Sequence, residues 1–123
     1  MFKWNENKIY KGEWKNNAIS GFGVFIQNGK VFKGDFINDQ KHGFGINIFP
    51  NNSFILSKWE EDFMIGISLF FDKDDNFEQI YISSKGKPKK LIENQEEIEQ
   101  IKENKEYLDL KSFLNDLKIK GMI

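Results

Sequence analysis

The chain has 123 residues, enough for one domain or one repeat array with an appendage, and 18 basic against 19 acidic side chains leave a net charge of -1. That balance offers no basic stripe for nucleic acid, and every basic residue is lysine, so the forked guanidinium favoured for bidentate phosphate recognition is missing. The absence of cysteine excludes disulfides, thiolate metal centres and cysteine nucleophiles.

The opening residues, Met1-Phe2-Lys3-Trp4-Asn5-Glu6, lack the basic start and apolar core of a signal peptide. No apolar run approaches the roughly 20 residues of a membrane helix, so a soluble cytoplasmic protein is expected. Next comes Tyr10-Lys11-Gly12-Glu13-Trp14, followed by Gly21-Phe22-Gly23. The figure returns 22 positions later as Phe32-Lys33-Gly34-Asp35-Phe36 and Gly43-Phe44-Gly45. Two copies with identical internal spacing make a repeat. Phe2 and Trp4 align with Val24 and Ile26, so the chain opens on the second strand of an incomplete unit. Asn28-Gly29 between apolar runs predicts a tight hairpin, because both turn positions want a positive φ.

Phe49-Pro50-Asn51-Asn52-Ser53 carries one extra residue and shifts the third unit, Ile55-Leu56-Ser57-Lys58-Trp59 and Gly66-Ile67-Ser68, to a step of 23. Serine replaces both glycines that face the aromatics there, while the step from Trp59 to Gly66 is kept. A fourth, worn copy is Phe77-Glu78-Gln79-Ile80-Tyr81, for seven or eight strands in all. Each unit holds two runs that alternate with period two, the pattern of half-buried strands. Phe22, Val24 and Ile26 share one face with Phe44, Ile46 and Ile48 and with Ile67, Leu69 and Phe71. Tyr10, Gly12 and Trp14 share a face, as do Phe32, Gly34 and Phe36, with Lys11, Glu13, Lys33 and Asp35 on the opposite one. An aromatic either side of a glycine leaves a slot without a Cβ, where a ring lies against the backbone. Rows of Phe and Trp ordinarily hold a thin sheet together. They would also serve as an aromatic groove for a peptide or helix, and on one face both readings stand.

After Ser84 the composition changes. Lys85-Gly86-Lys87-Pro88-Lys89-Lys90 reads as a basic linker, and the chain then lacks glycine until Gly121. Leu91, Ile98, Ile101 and Leu108 predict an amphipathic helical stripe that Phe113 and Leu117 continue. A shift of phase between Asn104 and Asp109 predicts two helices with a kink, or one helix with an adjusted face. The expected organisation is a hairpin array over 1–84, a linker over 85–90 and a helical segment over 91–120. A sheet with one apolar face must cover it. A helix about 25 Å long would cover most of it, or would project and bind a partner or a second copy.

The units resemble MORN repeats (membrane occupation and recognition nexus) at Tyr10, Gly12, Trp14, Gly21 and Gly23 and at Phe32, Gly34, Phe36, Gly43 and Gly45. Trp59 and Gly66 keep part of the pattern, and Ser57, Ser68 and Gln79 depart from it. The resemblance implies a mainly β fold, one elongated twisted antiparallel sheet of stacked hairpins, here with a C-terminal amphipathic helix. It also implies a scaffold that holds partner proteins in cytoskeletal, ciliary or membrane-junction assemblies, or an accessory module on an enzyme. Nothing in the chain is long enough for the catalytic domains of such enzymes.

Other chemistry is sparse. His42 stands alone, without the carboxylate or histidine spacing of a metal site. Asp72-Lys73-Asp74-Asp75-Asn76 has the acids of a calcium loop but no glycine at its sixth position, and reads as a hairpin tip. The Gly-Phe-Gly steps run into no Lys-Ser/Thr and do not make a phosphate loop. No catalytic, cofactor or metal site is expected, and no enzyme activity. Lys85, Lys87, Lys89 and Lys90 offer an alternative contact, with anionic lipid.

Overall fold

The computed structural model describes residues 2–5, 7–74, 78–84 and 87–123. Among the described residues nine strands succeed one another: β1 (Phe2–Asn5), β2 (Lys8–Lys15), β3 (Ala18–Gln27), β4 (Lys30–Ile37), β5 (Gln40–Ile48), β6 (Phe54–Glu60), β7 (Phe63–Phe71), β8 (Glu78–Ser84) and β9 (Lys87–Ile92). Two helices follow, α1 (Gln95–Lys102) and α2 (Lys105–Ile119). The strands form one antiparallel sheet in sequence order, so every neighbour is made by a hairpin and none by a crossover.

The turns explain that order. Both central residues take positive φ at Asn16-Asn17 (52° and 64°), Asn28-Gly29 (51° and 83°), Asn38-Asp39 (48° and 68°) and Glu61-Asp62 (50° and 71°). Two-residue loops of this kind match the right-handed twist of the strands they join. The extra residue before the third unit is absorbed in a wider turn, where the Asn51 carboxamide oxygen accepts from the Ser53 N–H at 3.0 Å and the Ser53 hydroxyl at 2.6 Å.

Two rows of residues cross the strands and divide the sheet. On one face, Gly12, Gly23, Gly34, Gly45, Ser57, Ser68 and Tyr81 stand opposite one another in succession. On the other runs Lys11, Val24, Lys33, Ile46, Leu56, Leu69, Ile80 and Ile92. The second row changes character at Ile46, from lysine-bearing to wholly aliphatic. The helices lie there: Tyr107, Leu110, Leu114 and Leu117 are buried against Ile46, Leu56, Leu69 and Ile80. The helical segment therefore caps its own sheet, over the second half only.

Three expectations are corrected. The basic segment is not a linker as far as it is described, since Lys87–Ile92 pair with β8 as an edge strand. An edge tolerates Pro88, which lacks an N–H, and its lysines discourage further pairing. Leu91 accordingly sits in β9 opposite Tyr81, and the helices begin at Gln95. Leu108 is 53% exposed and points away from the sheet. The reason is a fresh start at Asn104, whose side chain caps α2 by accepting from the Glu106 N–H at 2.8 Å, as Asn94 caps α1 through Glu97 at 3.0 Å. That break re-aims the apolar face, so Leu110, Leu114 and Leu117 do the packing with Phe113, Ile98 and Ile101 beside them. Lys85, Gly86, Asp75, Asn76 and Phe77 lie outside the described residues.

Candidate functional site

The glycine row belongs to a face carrying a second core, built from Tyr10, Ile19, Phe32, Phe36 and Trp59. Their rings meet edge to face in a continuous series. Centroids are 5.6 Å apart from Trp14 to Tyr10, 5.6 Å from Tyr10 to Phe36, 5.5 Å from Phe36 to Phe32 and 5.4 Å from Phe32 to Trp59. Tyr10 lies across Gly12 and Gly23, where an added Cβ would come within 2.7 Å of Cζ in either case. Phe32 lies likewise across Gly34 and Gly45, with Cζ 2.8 Å and 2.5 Å from the added atoms. In the third unit Ile55 takes the ring's place, and the slot is filled by Ser57 and Ser68, hydroxyls 3.1 Å apart, with Ser68 2.7 Å from Ser83. Glycine is present where a ring covers it and absent where none does.

The two glycines of each Gly-x-Gly have different duties. Gly23 and Gly45 are slots. Gly21, Gly43 and Gly66 lie in bulges of β3, β5 and β7, at φ of 88°, 71° and 67°, a conformation that disfavours a side chain. An acid attends each bulge. A Cβ on Gly21 would sit 2.9 Å from Glu13 Cδ, and one on Gly43 would sit 3.6 Å from Asp35 Oδ2. The third unit has Lys58 at that motif position, and helix α2 supplies the carboxylate instead. Glu106 Oε1 accepts from the Ile67 N–H at 2.9 Å, with its Cδ 2.8 Å from the position of a Gly66 Cβ.

The turns also join unit to unit. Asp39 accepts from the Ile19 N–H at 2.6 Å and returns its own N–H to the Ile19 carbonyl at 2.9 Å. Asp62 repeats the exchange with Lys41, at 2.7 Å and 3.2 Å. Above the rings lies an open groove of about 650 Å³ whose lining includes Trp4, Lys8, Trp14, Ile19, Phe36 and Asp39. Phe25 and Lys41 line it too, and also line a second hollow of about 500 Å³ with Phe32, Asn47, Ile55 and Met64. Trp4 and Trp14 are 42% and 45% exposed along this face. Burial holds the Lys41 ammonium below the usual lysine pKa, an effect that Asp62 partly offsets. Burial likewise raises the Tyr10 phenol, which donates to the Glu13 carbonyl at 2.9 Å.

Of the residues singled out from the sequence, the structure brings together the motif rings and glycines of this face. It sends the stripe Ile98, Ile101, Phe113 and Leu117 to the helix cap on the other. Lys87, Lys89 and Lys90 are exposed on β9, where Lys87 and Lys90 stand opposite Ser84 and Ile82 and Lys89 is the extra residue of the bulge between them. His42 stands opposite Asp35 in the ladder, exposed. Asp72 closes a turn by accepting from the Asp74 N–H at 3.0 Å. Among the described residues no three His, Asp or Glu side chains stand together in a way that would hold a metal ion. Sequence reasoning passed over Lys8, Lys41, the turn aspartates and Glu106. The recurrence of Asp39 at Asp62, and of Glu13 at Asp35 but not at Lys58, was the available signal.

A sheet assembled from repeated hairpins, with helices over the second half of one face and an aromatic groove on the other, defines a repeat protein built by stacking its units. Residues 10–30 and 32–54 each match the family model of the MORN repeat, and the chain is a MORN-repeat protein. No curated protein matches the chain. MORN repeats are generally involved in protein–protein or membrane–lipid interactions.

Proposed function

We propose that the protein is a non-enzymatic scaffold that holds a partner protein in the groove of its ring face. The observation that carries this reading is the asymmetry of the sheet. Helix α2 covers the second half of one face, while the other leaves Trp4 and Trp14 exposed beside a groove floored by rings. Aromatic side chains in a concave surface are the usual anchors of protein recognition. The setting we propose is a cytoplasmic, cytoskeletal assembly of the ciliary kind, which the family resemblance supports. The lysines of β9 lie on a bulged edge strand, the usual device of edge protection, which is why the lipid reading ranks second.

The test is a pull-down from native lysate with the intact chain, Trp14→Ser and Leu108→Ser. Both altered side chains are about half exposed, and a cooperative melt by circular dichroism checks that each variant is folded before the pull-down. Partners recovered by the parent and by Leu108→Ser but lost with Trp14→Ser support the proposal. Equal recovery by all three, or recovery by none, sinks it.

A further inference from the structure

The cations of the groove define what it takes. Lys41 occupies the repeat position held by Ile19 in the unit before and Met64 in the unit after. Its ammonium lies 4.7 Å from the ring centroids of both Phe32 and Trp59. Lys8 similarly lies 5.3 Å from Trp4 and 5.8 Å from Phe25. Asp39 and Asp62, the carboxylates lining the groove, are each engaged by a strand N–H at the turns. Among the described residues neither Lys8 nor Lys41 makes an ion pair.

A ring face attracts a cation but returns only part of its lost hydration. Burial shows in the depressed pKa of Lys41. An ammonium at the junction of two aromatic hollows therefore wants an acceptor, and among the described residues the only carboxylate beside it is that of Asp62, which already accepts from the Lys41 N–H. Resting on the groove reading above, we infer that the groove recognises a peptide segment of a partner protein in which an Asp or Glu stands between apolar side chains. The carboxylate meets Lys41, with Lys8 as the second cation, and the apolar groups lie on Trp4, Trp14 and Phe25.

A random peptide library displayed against the intact chain tests this, with the selected peptides then titrated by tryptophan emission. We expect selected peptides to share an acidic residue flanked by apolar ones, and to bind more weakly as salt rises. Lys41→Met, which copies Met64 of the next unit and so keeps the fold, should weaken them about tenfold or more. Lys41→Glu should turn the selection toward lysine-bearing peptides. Selected peptides without an acidic preference, or with affinity untouched by Lys41→Met, overturn this inference and leave the scaffold reading in place. A library that yields nothing, while vesicles of phosphatidylcholine and phosphatidylserine bind, overturns both.

Discussion

Gly45→Ser is expected to destabilise the protein severely, and Phe32→Ile to return much of what is lost. Strand propensity alone predicts the reverse for the first change, since glycine weakens a strand interior. Space decides otherwise: an added Cβ would lie 2.5 Å from Phe32 Cζ and 3.1 Å from Trp59 Cδ1. Phe32 has no retreat, being buried edge-on between Phe36 and Trp59 at 5.5 Å and 5.4 Å. Overpacking of this kind costs about 3 kcal/mol, which for a chain of this size lowers Tm by roughly 10 °C. The third unit shows the remedy, with Ile55 at the ring position and Ser57 and Ser68 buried without conflict. Phe32→Ile alone should cost about 1–2 kcal/mol. The double variant should be about 2.5–3 kcal/mol more stable than the sum of the singles, and so more stable than Gly45→Ser alone. Urea unfolding followed by circular dichroism measures all four proteins, with an unchanged m-value as the check that the unfolded state is common. Additive effects would refute the ring-over-glycine account.

Three further outcomes are expected. Glu106→Ala removes the acceptor of the Ile67 N–H and should cost about 1–3 kcal/mol; amide exchange at Ile67 should quicken, and Lys58→Glu, restoring the motif acid, should recover part of the loss. Unaltered exchange at Ile67 would rule the bond out. Leu110→Ala opens a cavity under the helix cap and should cost about 2–5 kcal/mol, against about 0.5 kcal/mol or less for exposed Leu108→Ala; matching urea midpoints would contradict the helix phase. Burial raises both the Tyr10 and Tyr107 phenols above their ordinary value of 10.0, and a carboxylate neighbour, Glu78, adds to the rise at Tyr107. The folded state then holds protons that the unfolded state releases, so this stabilisation is complete below pH 10 and declines as pH rises beyond it. Lys41, with its lowered pKa, acts with the opposite sign below 10.5, so the titration belongs in the Lys41→Met background. Stability that holds level through that range would count against buried phenols.

Much of this was legible because the repeat enforces it. Two equally spaced copies of ring-x-Gly-x-ring set the hairpins, their faces and the slots, and Asn28-Gly29 marked its turn. What escaped has identifiable causes. Lys87-Pro88-Lys89-Lys90 resembles a breaker by composition, and only Leu91 and Ile92 hint at a strand; β8 makes the strand by offering a ladder. Leu108 continues the stripe of α1 on paper, but Asn104 restarts the helix and rotates that stripe away. The separate roles of Gly21 and Gly23 emerge only with the register, which places one in a bulge and the other under Tyr10. Lys41 gave no sequence signal because its ring partners, Phe32 and Trp59, lie on other strands.

The wear in the third unit is a change of support and not a loss of order. Ring gives way to Ile55, glycines to Ser57 and Ser68, and the motif acid to Lys58. At nearly the same place the opposite face exchanges Lys11 and Lys33 for Ile46, Leu56, Leu69 and Ile80. A thin sheet needs one well-buried face. The first two units bury theirs by laying rings on bare backbone, which needs no second layer and lets the opposite face stay lysine-bearing. The later units lack those rings and bury the opposite face under α2, which also brings Glu106 to the bulge that Lys58 leaves without an acid. The intact motif therefore marks where the sheet supports itself, and there its aromatic groove remains open to a partner.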